Sequence, residues 1–337
     1  MENPRVTVIT PTYNGEKFIE RAIKSVLWQT FQNWEMIIVD DASKDNTVKI
    51  IKKYAEKDSR IKLIELKENT GGPAIPRTIA CKQAKGEYIA FLDQDDLYYP
   101  TYLEFKIKYL DKHPEISILF SFAWSFDEKT KNIINVEHGG PVNMVVRKEV
   151  IEIGNFFKPD QNGVDEIGVL YRYFLKEKEG FKKIKLLSPE PITLYSRHPG
   201  QGSYVENKNP LSFVKRLLSL IEEYNENVLE KIEDKDFIYY IINIKKIWYS
   251  RLGNFYCLAN KIEEGRKAFK KSLSLGFYWF SFLFLLLSYL GYKPYRKLEY
   301  LLRQFQRNFL WRFKVFIYKL KYRQSYRQAI EILNQFK

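Results

Sequence analysis

Short apolar runs and segments with helical spacing alternate along the first part of the chain. Four runs that are apolar and rich in β-branched residues predict strands, at residues 5–10, 35–40, 61–66 and 88–92. The segments between them repeat apolar residues at helical spacing and predict helices, at residues 16–29, 47–57 and 76–85. This βαβαβαβ order predicts an α/β fold with a mostly parallel sheet that is covered by helices on both faces.

Polar segments follow the ends of three of these predicted strands. They are Pro11–Gly15 after the first strand, Asp40-Asp41 after the second and Asp93–Asp96 after the fourth. Right-handed crossovers bring the carboxyl ends of parallel strands to one edge of the sheet, and ligands bind beyond that edge. We therefore expect the three segments to form one site.

From about Leu211 the pattern changes to long helical segments. Residues 249–275 resemble one helical hairpin of tetratricopeptide type, and because the repeat occurs once it predicts a packing unit and not an array. Residues 277–290 (FYWFSFLFLLLSYL) carry no charge. We predict an α/β domain at residues 1–205, a helical, all-α region at 206–291 and a basic amphipathic tail at 292–337.

Composition and charge narrow the class of protein. The chain has 337 residues, of which 45% are hydrophobic and 28% charged, with two cysteines. These values exclude a disordered chain, a polytopic membrane protein and a disulfide scaffold. The net charge of +14 is concentrated in residues 292–337, which hold twelve Lys or Arg and two acids. Such a tail predicts an anionic partner: a membrane surface, a nucleic acid or an acidic substrate.

Three carboxylates lie within four residues of each other at Asp93, Asp95 and Asp96. Carboxylates this close repel each other unless a cation holds them, and Mg²⁺ or Mn²⁺ is typically shared between carboxylates and a diphosphate. The motif therefore predicts a metal site that would neutralise charge on a departing phosphate. A solvated acidic turn is the alternative interpretation.

The other polar residues at this edge favour a nucleotide. Asp40 or Asp41 can accept hydrogen bonds from a base or a ribose, and capping of the following helix is the alternative for one of them. Tyr13 offers a ring for stacking, with loop packing as its alternative. Arg77, beyond Gly71-Gly72, suits a diphosphate, although two glycines often form only a turn. Neither GxGxxG nor GxxxxGK[ST] follows the first strand, so dinucleotide redox chemistry and P-loop hydrolysis lack their usual signature.

Two stretches of this region resemble the family 2 glycosyltransferases, which have the GT-A fold. They are VTVITPTYNGEKFIERAIKSVLWQTFQNWEMIIVDDASKDNT at Val6–Thr47 and AKGEYIAFLDQDDLYYP at Ala84–Pro100. The resemblance extends over most of the predicted α/β domain and weakens after Pro100. It implies a Rossmann-like GT-A domain and a nucleotide-activated sugar as substrate.

The resemblance also implies which residues bind the nucleoside of such a substrate. Pro11, Tyr13, Asp40 and Asp41 would hold the nucleoside, and Asp41 is the better match for the contact with the base. The ribose contact would come from Asp93.

The diphosphate and the metal would lie further along the same edge. Asp93 and Asp95 would form the DxD motif that engages Mn²⁺ or Mg²⁺, with Asp96 adjacent. Arg77 would approach the diphosphate, and His198, in a segment similar to one late in the family's domain, would reach it too. Thr78 is a departure, because the family usually has Asn after that Arg.

A catalytic base is expected near residue 166. Inverting transfer needs a carboxylate to take the proton of the acceptor hydroxyl as the diphosphate leaves. In the family this base is an Asp, usually the second residue of a Glu-Asp pair, six residues before an Arg. Here six residues before Arg172 stands Glu166, and the pair is reversed as Asp165-Glu166. We predict Glu166 as the base, with Asp165 as the second candidate and helix capping by the pair as the alternative.

The apolar segment and the basic tail together predict contact with a membrane. Residues 277–290 are too short to span a bilayer, which takes about 20 apolar residues, so they lie in a core or at the membrane interface. Interleaved basic and aromatic residues in the tail suit anionic headgroups. A soluble helix with a solvated basic face is the alternative. Because residues 1–20 show no signal-peptide pattern, we expect a cytoplasmic protein at the inner face of the cell membrane. With the membrane as the anionic partner of the tail, we expect no nucleic-acid partner.

These observations predict an inverting, metal-dependent glycosyltransferase. It would move a sugar from a nucleotide-diphosphate sugar to a hydroxyl of a glycan or lipid-linked acceptor, in cell-surface polysaccharide synthesis. One alternative is a nucleotidyltransferase that makes the activated sugar, although the first loop has no basic residue before Lys17. The other is a non-catalytic binding protein, which the reversed Asp165-Glu166 pair keeps open.

Overall fold

Two compact units make up the chain. The computed structural model describes residues 3–138, 141–159, 165–177, 183–199, 246, 249–250, 252–277, 279–305 and 312–336. The first unit comprises residues 1–198 together with 312–337, and the second comprises residues 199–311. This division differs from the predicted three segments, because the final residues of the predicted tail group with the sheet.

A nine-stranded sheet is the centre of the first unit. Its strands are β1 Val6–Thr12, β2 Trp34–Asp40, β3 Ile61–Glu65, β4 Tyr88–Phe91, β5 Leu97–Tyr98, β6 Ile118–Asp127, β7 Ile133–His138, β8 Met144–Arg147 and β9 Ile184–Arg197. Their order is β3-β2-β1-β4-β8-β6-β9-β5, and β7 pairs with β6. Strands β1 to β4 are parallel, as predicted, because helices connect them, whereas β8 pairs antiparallel with β4.

Within the described residues, six α-helices of the first unit lie between these strands. They are α1 Ile19–Leu27, α2 Thr47–Ala55, α3 Ala74–Gln83, α4 Tyr102–Lys112, α5 Lys148–Ile153 and α6 Asp165–Lys176. Helix α1 buries Ile19, Ile23 and Val26, which are each 0% exposed, in the main core. The helical spacing of these residues explains why α1 packs one face against the sheet. The three predicted helices are therefore present with ends shifted by a few residues.

The second unit is helical where it is described. Residues 252–258 form a helical stretch, followed by α7 Ile262–Ser274, α8 Trp279–Ser288 and α9 Tyr292–Phe305. A Cβ on Gly265 would lie 2.4 Å from Cys257 Sγ, so glycine lets α7 approach the preceding stretch closely. Cys257, Phe269 and Tyr295 form a small core here. Among the helices in the described ranges, none is long and apolar enough to cross a membrane.

The last two helices, α10 Arg312–Lys321 and α11 Arg323–Asn334, belong to the first unit. They contribute Val315 and Ile332 to a second core, which also contains Trp124 of β6. Trp124 Nε1 donates to Ser325 Oγ at 2.9 Å, and Tyr99 Oη donates to the Ser325 carbonyl at 2.7 Å. The end of the chain therefore completes the core of the sheet unit.

Candidate active site

The loops after β1 and β2 are tied to each other. Asn14 has a left-handed backbone (φ 47°), which turns the chain sharply after β1. Its N–H donates to Ser43 Oγ at 2.8 Å, and the Gly15 N–H donates to Thr47 Oγ1 at 2.7 Å. Pro11 is still within β1 and is buried. The first two predicted segments are thus brought together at one edge of the sheet.

Gln94 connects the third segment to this loop. Its Oε1 accepts from the Tyr13 N–H at 3.0 Å, and its Nε2 donates to the Tyr13 carbonyl at 3.2 Å. A Cβ on Gly15 would lie 2.3 Å from Gln94 Oε1, so a larger residue there would displace the Gln94 side chain. The Tyr13 side chain is 44% exposed and its ring is open to a ligand. The sequence reasoning overlooked Gln94, because the interest of the motif lies in its carboxylates.

Asp40 and Asp41 lie at the end of β2 and are both buried. Asp40 Oδ2 accepts from the Ser43 N–H at 2.9 Å, while within the described residues its buried Oδ1 has no hydrogen-bond partner. Asp41 Oδ1 accepts from the Thr70 N–H at 2.9 Å. Neither of these contacts caps α2, whose Thr47 N–H donates to Asp45 at 3.0 Å. Asp40 Oδ1 is therefore an acceptor that a ligand donor would satisfy.

Arg77 and Asp93 form an ion pair at this edge. Arg77, on α3, is 3% exposed, and its guanidinium donates to Asp93 Oδ1 at 2.8 Å. The same guanidinium lies 5.8 Å from the ring centre of Phe157. Thr78 supports that ring, since its hydroxyl donates to the Phe157 carbonyl at 3.0 Å and accepts from the Phe157 N–H at 3.1 Å. The residue that departs from the family pattern thus holds the backbone under Arg77.

His198 meets Asp95 although the two residues are far apart in sequence. Its Nε2 lies 2.9 Å from Asp95 Oδ2, and its ring stacks on Phe18 with centroids 4.5 Å apart. Both side chains are about one-tenth exposed, at 11% and 10%. A carboxylate oxygen and an imidazole nitrogen therefore pair with each other at the edge of the site.

Asp96 lies behind this edge and is fully buried. Its Oδ1 accepts from the Ser196 N–H at 2.9 Å, and in the described part of the chain its Oδ2 has no hydrogen-bond partner. Burial, and next the nearby charges of Asp95 and Asp93, raise the pKa of Asp96 well above its usual range. Asp96 is therefore a buried link between β4 and β9, and it is less suited than Asp95 to contact a ligand.

The buried ion pair between Arg21 and Glu128, which belongs to none of the predicted motifs, supports the backbone at Asp95. Arg21, on α1, contacts Glu128 Oε2 at 2.7 Å and also donates to the Asp95 carbonyl at 2.8 Å. Ser196 Oγ donates to the same Glu128 oxygen at 2.9 Å. Burial alone would raise the pKa of Glu128, but hydrogen bonds from Arg21, Lys131 and Ser196 lower it overall. Helical spacing marks Arg21 only as one more position on α1, so the sequence offers no signal for this role.

The donors at this edge suit a divalent cation that is shared with a ligand. The described residues contain no group of three or more His, Cys, Asp or Glu side chains arranged to hold a metal by themselves. Asp95 and His198 converge at 2.9 Å, while Asp93 is engaged by Arg77 at 2.8 Å. Mg²⁺ and Mn²⁺ commonly take one or two protein ligands and complete their shell with phosphate and water oxygens. The carboxylates of Asp95 and Asp93 therefore suit such an ion together with a diphosphate, while His198 is a hydrogen-bond partner of Asp95.

The predicted base lies at the start of α6. Asp165 and Glu166 are the first two residues of that helix, and their side chains lie outside the part of the chain that the structure describes. Arg172, which set the register for the prediction, is 7% exposed and donates to the carbonyls of Gly154 at 2.7 Å and Phe156 at 2.6 Å. Arg172 thus anchors the backbone at Gly154 and Phe156, directly after α5.

Comparison with known proteins relates this chain to glycosyltransferases. Residues 7–174 match the model of Glycosyl transferase family 2. The chain is 44% identical over 120 residues to the putative teichuronic acid biosynthesis glycosyltransferase TuaG of Bacillus subtilis, covering 36% of this chain and 46% of TuaG. It is 40% identical over 111 residues to the poly(ribitol-phosphate) β-N-acetylglucosaminyltransferase TarS of Staphylococcus aureus, covering 32% of this chain and 19% of TarS. The match thus spans less than half the length of either relative.

Solved structures share the fold over most of the chain. Staphylococcus aureus TarS 1–349 in complex with UDP-GlcNAc aligns with a TM-score of 0.63 and 21% identity, over 89% of this chain and 92% of that one. The mannosyltransferase PcManGT of Pyrobaculum calidifontis, in complex with GDP-Man and Mn²⁺, aligns with a TM-score of 0.53 and 18% identity, over 88% and 83%. The sheet is therefore GT-A-like, and through residues 7–174 the chain belongs to glycosyl transferase family 2.

Proposed function

We propose that this protein transfers a sugar from a nucleotide-diphosphate sugar to a hydroxyl of a glycan or lipid-linked acceptor, with inversion at the sugar carbon. The observation that carries the proposal is the meeting of Asp40, Arg77–Asp93 and Asp95–His198 at one sheet edge. Relatives of the same fold were solved with UDP-GlcNAc and with GDP-Man, which supports a donor of this class.

The donor would bind across the three strand ends. Tyr13 would stack on the base, and the unpaired Oδ1 of Asp40 and the carboxylate of Asp41 would accept hydrogen bonds from the base or ribose. Arg77 would contribute positive charge near the diphosphate. Pro11, buried at the end of β1, would support the floor of the nucleoside site.

Asp95 would hold Mn²⁺ or Mg²⁺ together with the diphosphate, and His198 would orient the Asp95 carboxylate. The ion, when bound, supplies charge neutralisation for the departing nucleoside diphosphate. Asp93 would orient Arg77 and receive a ribose hydroxyl, because it remains 29% exposed beside that guanidinium. Asp96 would keep the segment in place from behind through its bond to Ser196.

The acceptor hydroxyl would lose its proton to a carboxylate at the start of α6. We assign this role to Glu166 and keep Asp165 as the second candidate, because Glu166 stands six residues before Arg172. As the hydroxyl oxygen attacks the sugar carbon, its proton passes to the carboxylate and the bond to the diphosphate oxygen breaks. Attack from the side opposite the leaving group inverts the configuration.

The acceptor would belong to the cell surface. Two relatives carry names from teichuronic acid and poly(ribitol-phosphate) chemistry, which supports a surface polysaccharide or its lipid-linked precursor. A cytoplasmic enzyme acting on a lipid-linked acceptor would work at the inner face of the membrane, and the basic residues from 292 onward support peripheral attachment there.

A thermal-shift panel of nucleotide-sugars with Mn²⁺, Mg²⁺ or chelator tests the donor assignment. A donor that binds the folded state at a hundred times its dissociation constant adds about 2.7 kcal/mol to the free energy of unfolding. We expect one nucleotide-sugar to raise the melting temperature only when a metal is present. Asp95→Ala should abolish that rise, whereas Glu56→Ala, at an exposed position directly after α2, should keep it.

Two results would contradict the proposal. If no nucleotide-sugar stabilises the parent chain, the donor site is wrong. If Asp95→Ala responds to the donor and Mn²⁺ as the parent does, the metal assignment is wrong while the donor site stands. Stabilisation by a nucleoside triphosphate with sugar phosphate, and not by nucleotide-sugars, would favour the nucleotidyltransferase alternative.

A further inference from the structure

Helix α8 of the second unit carries large apolar side chains on its exposed side as well as on its packed side, and it buries its two serines. Its serines, Ser281 and Ser288, are both 0% exposed. Phe284, Leu285 and Leu287 pack against the small core of this unit, whereas Phe282 and Leu286 are 38% and 51% exposed. Water favours the reverse arrangement, because burying apolar surface is what stabilises a fold in water. The pattern therefore suggests that the outer side of α8 meets something other than water.

Specific hydrogen bonds hold α8 in this orientation. Ser281 Oγ lies 2.6 Å from Ser272 Oγ of α7. The Ser288 carbonyl accepts from the Arg266 guanidinium of α7 at 2.9 Å. Small hydroxyl side chains that let two helices approach closely are typical of helix packing in lipid. The contacts with α7 therefore set the orientation of α8.

The outward residues form one continuous face. Phe282, Leu286, Tyr289 and Leu290 are 38%, 51%, 57% and 55% exposed, and their spacing places them on one side of the helix. The N–H groups of Tyr289 and Leu290 donate to carbonyls one turn earlier, both at 3.1 Å, so the helical path continues to Leu290. We call these four residues the α8 outer face.

Positive charge follows directly on this face. Lys293, Arg296 and Lys297 of α9 are exposed. Between Glu264 and Glu331 the sequence contains a single acidic residue, Glu299, which is 5% exposed and accepts from Asn254 Nδ2 at 3.3 Å. An apolar face that is followed in the chain by three exposed basic residues is complementary to an apolar phase that carries negative headgroups.

We propose that the α8 outer face inserts into the interface of an anionic lipid bilayer, with Lys293, Arg296 and Lys297 at the headgroups. A ten-residue helix is about 15 Å long, half the hydrocarbon thickness, so α8 would lie in the interface and not span it. A second copy of the chain is the weaker occupant, because a symmetric contact would bring two sets of these basic residues together. The inference rests on the proposed function and assigns its membrane contact to one surface.

Flotation of the full-length protein with vesicles tests this surface. The parent should float with phosphatidylcholine–phosphatidylglycerol vesicles, and the double variant Leu286→Glu/Leu290→Glu should lose more than about tenfold of its partition coefficient, since charge at the bilayer interface opposes insertion. The exposed position of both leucines means that the variant should fold, as circular dichroism would verify. Phe105→Glu is the matched control, because Phe105 is 49% exposed on α4 of the other unit.

The three basic residues of α9 have their own test. Replacing Lys293, Arg296 and Lys297 by Gln should weaken binding to the anionic vesicles by about fivefold per residue, or about a hundredfold together. Added salt should weaken the parent more than this variant, because surface charges are screened. Phosphatidylcholine vesicles should bind the parent and the variant equally weakly.

A fluorescent label reports insertion directly. Both native cysteines, Cys81 and Cys257, are buried, so a cysteine at Leu290 provides a selectively reactive thiol. An environment-sensitive dye at Leu290→Cys should shift to the blue with anionic vesicles, and the same dye at Phe105→Cys should not.

The inference is wrong if the Leu286→Glu/Leu290→Glu variant floats as well as the parent. It is also wrong if the fluorescence of the label at Leu290→Cys does not shift when anionic vesicles are added. It is likewise wrong if Leu320→Glu, at a position 64% exposed on α10, releases the protein while the double variant remains bound. If the double variant splits a dimer without changing flotation, the face belongs to a second copy. If the parent binds no anionic vesicle, the proposed peripheral attachment to the membrane is wrong as well. The catalytic proposal is tested separately, by metal-dependent donor binding in the thermal-shift panel.

Discussion

Arg21 and Glu128 show how single side chains outside any motif hold the site. The guanidinium of Arg21 links Glu128 to the Asp95 carbonyl, at 2.7 Å and 2.8 Å. Both side chains are largely removed from water, at 7% and 19% exposed, so each charge depends on the other. The segment that carries Asp95 is thereby attached to α1 and to the end of β6.

Arg21→Met should destabilise the protein by about 3 kcal/mol, because a buried pair that loses one partner leaves a charge without compensation. Arg21→Met/Glu128→Gln should recover much of that loss, since both charges are then absent. Urea unfolding measures both variants. If the single variant loses less than about 1 kcal/mol, the pair contributes no more than a surface ion pair does.

The two carboxylates at the start of α6 can be separated by amide substitutions. Glu166→Gln should reduce turnover by about 10²-fold or more while donor affinity stays at the parent's value, because general-base catalysis contributes that much and the donor is held elsewhere. Asp165→Asn should retain most turnover. Steady-state kinetics together with donor titration distinguish these outcomes, and the opposite ranking would make Asp165 the base.

Among the elements, helices α10 and α11 show the largest difference between the role predicted from sequence and the position in the structure. Its charge count suggested a tail that meets a partner, yet Val315, Ala329, Ile332 and Leu333 are each at most 6% exposed and pack in the second core. Deleting residues 277–337 would therefore remove part of this core along with α8, so point substitutions test membrane contact more cleanly.

Ser325 links α11 to the sheet, and its loss should be measurable. Trp124 Nε1 donates to Ser325 Oγ at 2.9 Å, and the hydroxyl donates to the Pro191 carbonyl. Ser325→Ala should cost about 1–3 kcal/mol of unfolding free energy, because it leaves a buried indole N–H unsatisfied. Ser274→Ala, at an exposed position of α7, is the matched control and is expected within about 0.5 kcal/mol of the parent. Equal effects in denaturant titrations would refute the role of Ser325.

At the scale of the whole molecule, charge is distributed unevenly. The net charge is +14, yet residues 1–291 are nearly balanced and residues 292–337 hold most of the surplus. The structure divides that surplus between the two units, at α9 on one and at α10 and α11 on the other. Only the basic residues of α9 lie next to the α8 outer face in the chain, which is why we place the membrane contact there.

The sheet unit also contains a buried carboxylate that makes its stability depend on pH. Burial would raise the pKa of Glu35, but hydrogen bonds from Lys62, the Lys85 N–H and Thr7 lower it overall. The folded-state pKa thus lies below the unfolded value of about 4.3. Glu35 therefore stabilises the fold above that value, and the contribution is lost as the pH falls through the folded-state pKa.

Glu35→Gln should consequently flatten the fall in stability between neutral and acidic pH. Urea unfolding midpoints at a series of pH values measure this, with Glu56→Gln as the control because Glu56 is exposed on the same unit. A variant whose midpoints fall as steeply as the parent's would show that Glu35 does not carry the acid sensitivity.

The sequence by itself determined the parallel half of the sheet, the family and the three polar segments at its edge. Periodicity and the order of elements are local properties, so strands β1 to β4, the helices between them and the convergence of Asp40, Asp93 and Asp95 follow from them. The donor-binding roles of these residues remain predictions.

Only the tertiary structure decided which groups meet across long separations. Gln94 against Tyr13, Arg21 against Glu128, and His198 against Asp95 all join segments between 81 and 107 residues apart. Composition likewise does not reveal that α10 and α11 pack on the sheet unit, or that α8 exposes part of its apolar surface. The physical reason is that an apolar pattern in the sequence indicates which side chains avoid water. Whether other parts of the protein or another phase cover those side chains depends on the tertiary packing.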